Sequence, residues 1–318
     1  MSESIAVIGA GAWGTALAIL LARAGKDVTL WARDAAKVAE MARVRENPRL
    51  KGVALPETLR LTSTMPGAEI LLLAVPMQHL RSILPALPQS SAPLVLCCKG
   101  LETGTLLLPP ELVGERPAAM LTGPNFAHEI AAGLPAAAVL AMPEAETRTR
   151  LIAALKTDTL RLYGSADIMG AALGGAAKNV IAIAAGVVIG AGLGENARAA
   201  LITRGLAEIA RLAAALGGKA ETVSGLSGLG DLLLTCTGLS SRNFSLGLAL
   251  GEGRSLAEIL ASRSSVTEGV TTAPALLARA RAAGVEMPIT EAVTRLLAGE
   301  MTVAQTMAAL MSRALKDE

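Results

Sequence analysis

Aromatic side chains are scarce in this chain: its 318 residues include two Phe, one Tyr and two Trp, against 52% hydrophobic residues overall. The core must therefore be built from aliphatic side chains and alanine, a composition that favours helix. Cysteine is also sparse. Cys97, Cys98 and Cys236, two of them adjacent, do not make a disulfide framework or a zinc site of ordinary spacing. The two histidines, His79 and His128, are far apart and have no ligand partner four residues on, so no metal site is expected. An excess of one charge is missing too. A net charge of +2 without a Lys/Arg run argues against a nucleic-acid partner. The opening residues MSESIAVIG lack a basic segment followed by a long apolar stretch, so the expectation is a cytoplasmic protein without a secretion signal.

What is present divides the chain in two. Short apolar runs at Ile5–Ile8, Val28–Trp31, Ile70–Val75, Leu94–Cys98, Ala119–Thr122, Ala137–Ala141 and Leu160–Tyr163 alternate with helical stretches such as Thr15–Ala24. Continuous apolar strands between helices predict a doubly wound, mainly parallel sheet covered on both faces. From about Ile168 strand signals vanish. Ala197–Leu216 reads as a helix with Ile202, Leu206, Ile209 and Leu216 on its inner face and Arg204, Glu208 and Arg211 on the outer, ended by Gly217-Gly218. Thr302 and Gln305 have capping-box spacing for a final helix. The expected organisation is an α/β domain over residues 1–167 and an all-α domain over 168–318.

Gly9-Ala10-Gly11-Ala12-Trp13-Gly14 lies between the first strand and the first helix. In that setting the pattern is a dinucleotide-binding turn: Gly9 permits the turn, Gly11 lets a pyrophosphate approach the backbone, and Gly14 lets helix pack on strand. The helix N-terminus then stabilises the anion, and Trp13 is expected beside the cofactor. The second strand ends at Trp31-Ala32-Arg33-Asp34. Arg33 suits the 2′-phosphate of NADP, the preferred cofactor. Asp34 leaves NAD open, since it could neutralise Arg33 or reach the ribose.

Lys178 stands in the stretch 168–194, where every other residue except Asn179 is apolar or glycine. A membrane span fits poorly, because the stretch carries seven glycines and a central Lys-Asn pair. A buried core helix fits better, and there an isolated ammonium is costly unless something uses it. Other polar groups lie at strand ends, where α/β proteins bind ligands: Lys99 after Leu94–Cys98, and Gly123-Pro124-Asn125-Phe126-Ala127 after Ala119–Thr122. Further on come Gly230-Asp231 and Ser240-Ser241-Arg242-Asn243, a capped helix start with an arginine, which suits a phosphate. Cys236 reads as a small buried hydrophobe.

The segments GAGAWGTALA, CCKGLE, LTGPNFAHEIAAGLP, GAAKNVIAIAAG, NARAALITRGLAEI, GLGDLLLTCTGLSSRN and VTEGVTT occur in this order. Together they resemble bacterial NAD(P)-dependent glycerol-3-phosphate dehydrogenase over nearly the whole chain. The resemblance implies a Rossmann-type domain followed by a helical one, and Lys178 as proton acceptor for the substrate's secondary alcohol. It implies substrate contacts at Lys99, Gly123, Asn125, Lys178, Asp231, Ser241, Arg242 and Asn243. It also implies a cofactor lined by Gly9, Gly11, Ala12, Trp13, Gly14, Arg33, Lys99, Ala127, Arg242, Val266 and Glu268. Many members have Ser at the place of Asn125; Asn still offers a donor and an acceptor. The implied reaction reduces dihydroxyacetone phosphate to glycerol 3-phosphate, supplying glycerophospholipid synthesis. Rival readings are a β-hydroxyacid dehydrogenase or ketopantoate reductase of the same architecture, and a cofactor-binding regulator without turnover. The partner expected is a small phosphorylated molecule, with no membrane insertion. Apolar helical surface is compatible with a homodimer, although no heptad seam specifies one.

Overall fold

The structure, a computed structural model, describes residues 3–263 and 267–312. In chain order its first part contains β1 (Ser4–Ile8), α1 (Ala12–Arg23), β2 (Asp27–Trp31), α2 (Ala35–Val44), β3 (Arg60–Thr62), β4 (Ile70–Leu73), α3 (Leu80–Ile83), β5 (Leu94–Leu96), α4 (Pro109–Leu112), β6 (Ala118–Thr122), α5 (Ala127–Ala132), β7 (Ala136–Ala141), α6 (Ala145–Leu155) and β8 (Leu160–Ser165). The helices that follow are α7 (Ile168–Gly190), α8 (Gly194–Ala215), α9 (Ala220–Val223), α10 (Asp231–Cys236), α11 (Arg242–Gly251), α12 (Leu256–Ala261), α13 (Glu268–Ala282), α14 (Pro288–Leu297) and α15 (Val303–Met311), with a π-helical turn at Leu226–Gly230 before α10.

The chain forms two compact units: Met1–Lys99 with Leu107–Ala172, and Gly100–Leu106 with Leu173–Glu318. The expected division at 167/168 falls at the start of α7, whereas the units part within that helix. Gly100–Leu106 also crosses to the helical unit, an excursion that sequence order gives no reason to expect.

In the first unit the eight strands run in the order β3-β2-β1-β4-β5-β6-β7-β8. All neighbours are parallel except β6 and β7, so β7 and β8 run against the rest. Ile5 is paired with Val28 on one side and Ile70 on the other. The central strands carry apolar residues on both faces, and both are buried: Ala6 and Ile8 are as inaccessible as Ile5 and Val7. Ile5, Val7, Ile70 and Leu72 share one cluster with Leu17, Ile19 and Leu21 of α1. β3 is the strand that the apolar pattern does not announce. It is three residues long, at the sheet edge, and reads Arg-Leu-Thr.

In the second unit α7 is long and apolar enough to cross a membrane, but 94% of its apolar window is buried inside the protein. It is a core helix, and its glycines serve contact. A Cβ on Gly186 would overlap the Phe244 carbonyl oxygen, and one on Gly190 that of Leu248. Reciprocally, Gly247 and Gly251 of α11 face the carbonyls of Ile183 and Val187. The two helices thus meet backbone to backbone through paired glycines four residues apart. One expectation is corrected on α8: Glu208 does not lie on the solvent face but is 2% exposed. Its Oε1 accepts from the Ile289 amide at 2.6 Å, and its Oε2 from the Thr290 amide and hydroxyl at 3.3 Å. α14 begins after Met287, which has no capping oxygen, and Glu208 supplies it from the neighbouring helix.

Candidate active site

In the first unit the glycine turn is fixed by close packing. Gly9 has φ +118° and a Cβ there would stand 2.7 Å from the Ala74 carbonyl oxygen. A Cβ on Gly14 would overlap the Gly9 carbonyl, whereas Gly11 is exposed and open. Gly11 is the N-cap of α1 without a side-chain cap, so the first amides of α1 remain available to an anion. Asn47, 2% exposed, holds the turn by donating to the Ala10 carbonyl at 3.1 Å and Thr15 Oγ at 2.7 Å. No motif points to Asn47, because both bonds span more than thirty residues. Ala12 opens α1, and Trp13 packs half-buried against the sheet cluster with its Nε1 buried and without a hydrogen-bond partner.

Arg33 is exposed beyond the end of β2. The Asp34 carboxylate caps α2 through the Lys37 amide at 3.2 Å and pairs with Lys37 Nζ at 3.2 Å. These bonds hold it below the usual carboxylate range. Asp34 is therefore engaged away from Arg33.

Lys99 is half-buried and its Nζ donates to the Gly123 carbonyl at 3.4 Å. Asn125, in the same turn, donates to the Ala137 carbonyl at 3.2 Å while its Oδ1 is buried without a partner. Ala127 opens α5 directly after. His128 is exposed and stacks on Phe126 with ring centroids 5.6 Å apart.

In the second unit Lys178 of α7 is 8% exposed and forms an ion pair with Asp231 of α10, which is fully buried. Its Nζ also donates to Thr235 Oγ at 2.9 Å, and Thr235 donates in turn to the Asp231 carbonyl at 2.6 Å. Thr235, like Asn47, is a residue that motif reading missed. Its signal was available, since it lies four residues after Asp231 on one helix face.

Beside this pair Asn179 Oδ1 accepts from Asn243 Nδ2 at 2.8 Å, and Asn179 Nδ2 donates to Glu268 at 3.5 Å. Asn243 Oδ1 accepts from the Gly269 amide at 2.9 Å. Asn243 thus ties α11 to α7 and α13, a role its motif did not suggest. Ser241 caps α11 by accepting from the Phe244 amide at 3.2 Å, and Arg242, the first helical residue, is exposed. Val266 lies outside the described residues. Cys236 is fully buried, and burial pushes its thiol up to about 12, so it is a packing residue.

The site fits a dinucleotide on three observations: the close-packed Gly9 turn, the uncapped start of α1, and the unpartnered indole N–H of Trp13 beside it. A doubly wound sheet entered through such a turn and followed by a helical unit with a buried, ion-paired lysine defines a two-domain dinucleotide-dependent oxidoreductase. Within that class the chain belongs to the NAD-dependent glycerol-3-phosphate dehydrogenase family. Residues 4–148 match the N-terminal part of that family and residues 167–308 its C-terminal part. It is 62% identical over 317 residues to a glycerol-3-phosphate dehydrogenase [NAD(P)+] from Acidiphilium cryptum, covering 98% of both chains. To the enzyme of that name from Gluconobacter oxydans it is 54% identical, covering 97% of both. The crystal structure of glycerol-3-phosphate dehydrogenase from Coxiella burnetii superposes with a TM-score of 0.92 at 39% identity, covering 98% of this chain and 99% of that one. A ketopantoate reductase from Staphylococcus aureus shares the fold at a TM-score of 0.54 and 14% identity.

Proposed function

We propose that this protein reduces dihydroxyacetone phosphate reversibly to glycerol 3-phosphate in the cytoplasm, feeding phospholipid synthesis. The observation that carries the reading is the buried Lys178–Asp231 pair with Thr235 at its side. A cofactor binder without turnover has no use for an ammonium held at that cost.

When bound, the nicotinamide dinucleotide supplies or accepts the hydride. The chain's own residues do the rest. The Gly9–Gly14 turn and the start of α1 take the pyrophosphate, with Ala12 and Trp13 beside it. Arg33 takes the 2′-phosphate, which favours NADP over NAD, and Ala127 and Glu268 line the cofactor. Lys178 is held by Asp231 as an ammonium, aligned by Thr235. It stabilises the alkoxide that develops on the substrate carbonyl and then gives that oxygen its proton. In the oxidative direction neutral Lys178 removes the hydroxyl proton. Lys99, with Gly123 and Asn125, binds the polar end of the substrate. Arg242, the Ser241-capped start of α11 and the second Nδ2 hydrogen of Asn243 take the phosphate.

NADPH oxidation with dihydroxyacetone phosphate, followed spectrophotometrically, tests the reading. Turnover is expected with the phosphorylated ketone and not with dihydroxyacetone. Equal rates with both would remove the anion site from the argument, and no turnover with either would remove the reaction.

A further inference from the structure

Arg263 follows α12, and no motif in the sequence reaches it. Its guanidinium turns back onto the first turn of α11. Nη1 donates to the Arg242 carbonyl at 2.7 Å, and Nη2 to Ser245 Oγ at 3.1 Å. Ser245 Oγ donates to the same Arg242 carbonyl at 3.2 Å. The planar fork therefore grips the backbone of the residue that opens α11, with the Ser245 hydroxyl closing the ring.

Electrostatics make this an unfavourable place for a cation. A helix N-terminus carries a partial positive charge. Burial, and then the neighbouring charges of Arg254 and Arg242, hold Arg263 below the usual guanidinium range. Arg263 set against Arg242 at the positive end of α11, with the charge of Arg254 also felt there, disfavours the fold by itself. The same crowding strengthens the attraction for an anion brought to that point.

We propose that Arg263 is a positioning residue for phosphate recognition: by gripping the Arg242 carbonyl it fixes the start of α11, and with it the direction from which the Arg242 guanidinium meets a phosphate dianion. The inference rests on the reading of this protein as a dihydroxyacetone phosphate reductase and adds to it a residue acting through Arg242 rather than on the substrate.

The test is a double-mutant cycle. Arg263→Ala raises KM for dihydroxyacetone phosphate about tenfold while kcat stays within about twofold, since binding and not chemistry is affected. In an Arg242→Ala background the same change adds less than about twofold, because the residue it positions has gone. Arg263→Lys keeps the charge and lacks the fork, so it stays close to Arg263→Ala. Full recovery by Lys, or an undiminished effect without Arg242, overturns the proposal. Should the Ala variant unfold, Arg263→Gln is read in the same way.

A second readout needs no turnover. Calorimetric binding of inorganic phosphate to the full chain weakens about tenfold in Arg263→Ala, and an unchanged affinity overturns the proposal. A wild type that binds phosphate but reduces no dihydroxyacetone phosphate breaks the reading of the reaction, while the phosphate clamp is still judged by the variant.

Discussion

In the proposed reaction, catalysis and stability draw on the same ammonium at Lys178. Asp231 is fully buried, and taking away Lys178 leaves a carboxylate inside the protein without its cation. Lys178→Ala should abolish turnover and also cost about 3 kcal/mol of stability, the usual scale for breaking a buried pair by one partner. Adding Asp231→Asn should return most of that stability without returning activity. Chemical denaturation of the three proteins decides it, and an unaltered midpoint in Lys178→Ala would count against the pair as a buried charge. Lys178 was legible in the sequence because a lone charge in an apolar run is visible locally. The Asn179–Asn243 and Asn179–Glu268 bonds were not, because they join residues 64 and 89 positions apart and have no local pattern. Arg263 was silent for the same reason: a guanidinium bonded to a backbone carbonyl 21 residues earlier looks like any surface arginine.

Among the elements, α7 and α11 constrain each other backbone to backbone. Their glycines face each other's carbonyls, so a methyl group at Gly247 has no room. Gly247→Ala should cost about 3 kcal/mol or more, as overpacking against a rigid backbone does. Because Arg242 opens α11, the surviving protein should also show a raised KM for the phosphorylated substrate. Gly238→Ala, where a Cβ meets nothing within 4 Å, is the control and should be near neutral. Denaturation midpoints that fall equally in both variants would refute the packing argument.

The cap on α14 makes a second prediction at this scale. Burial raises the Glu208 carboxyl from 4.5 to about 7, against the opposing bonds from Ile289 and Thr290. A group raised in the folded state favours folding while protonated in both states. That contribution is present below about pH 4.5 and is lost as pH rises toward 7, by up to about 3 kcal/mol. Glu208→Gln cannot ionise, so its stability should fall less than wild type between pH 5 and pH 7.5. Parallel curves for the two proteins would exclude Glu208 as the source. These features also mark where reading by pattern stops. The core strands and the Thr302–Gln305 capping box are local and were visible. β3 is too short and polar to signal itself, the reversal of β7 leaves no trace in an apolar run, and Glu208 caps a helix 81 residues away.

At the scale of the whole molecule, the two ligands expected of this protein have anchors in different compact units. The dinucleotide's is the Gly9–Gly14 turn with the start of α1, and the phosphate's is the start of α11 behind its Arg263 grip. Each anchor is a helix N-terminus whose first amides lack partners within the helix, and such amides exchange readily until a ligand accepts from them. Hydrogen exchange resolved by peptide can therefore read the two ligands separately. NADPH at about a hundred times its Kd stabilises the state that binds it by about 2.7 kcal/mol, which corresponds to roughly hundredfold slower exchange for amides that exchange only while the ligand is away. That slowing should appear at the first turn of α1 and in the segment around Asn47, which holds the turn by two side-chain bonds. Inorganic phosphate alone should slow the first turn of α11 and leave α1 as it was. At the same phosphate concentration Arg263→Ala should shrink the phosphate effect in line with its about tenfold weaker binding, without touching the NADPH effect, because its contacts end on Arg242 and Ser245. If phosphate instead protects α1 and spares α11, the anion site has been placed on the wrong element, and Arg242 loses its role together with the residue that holds it.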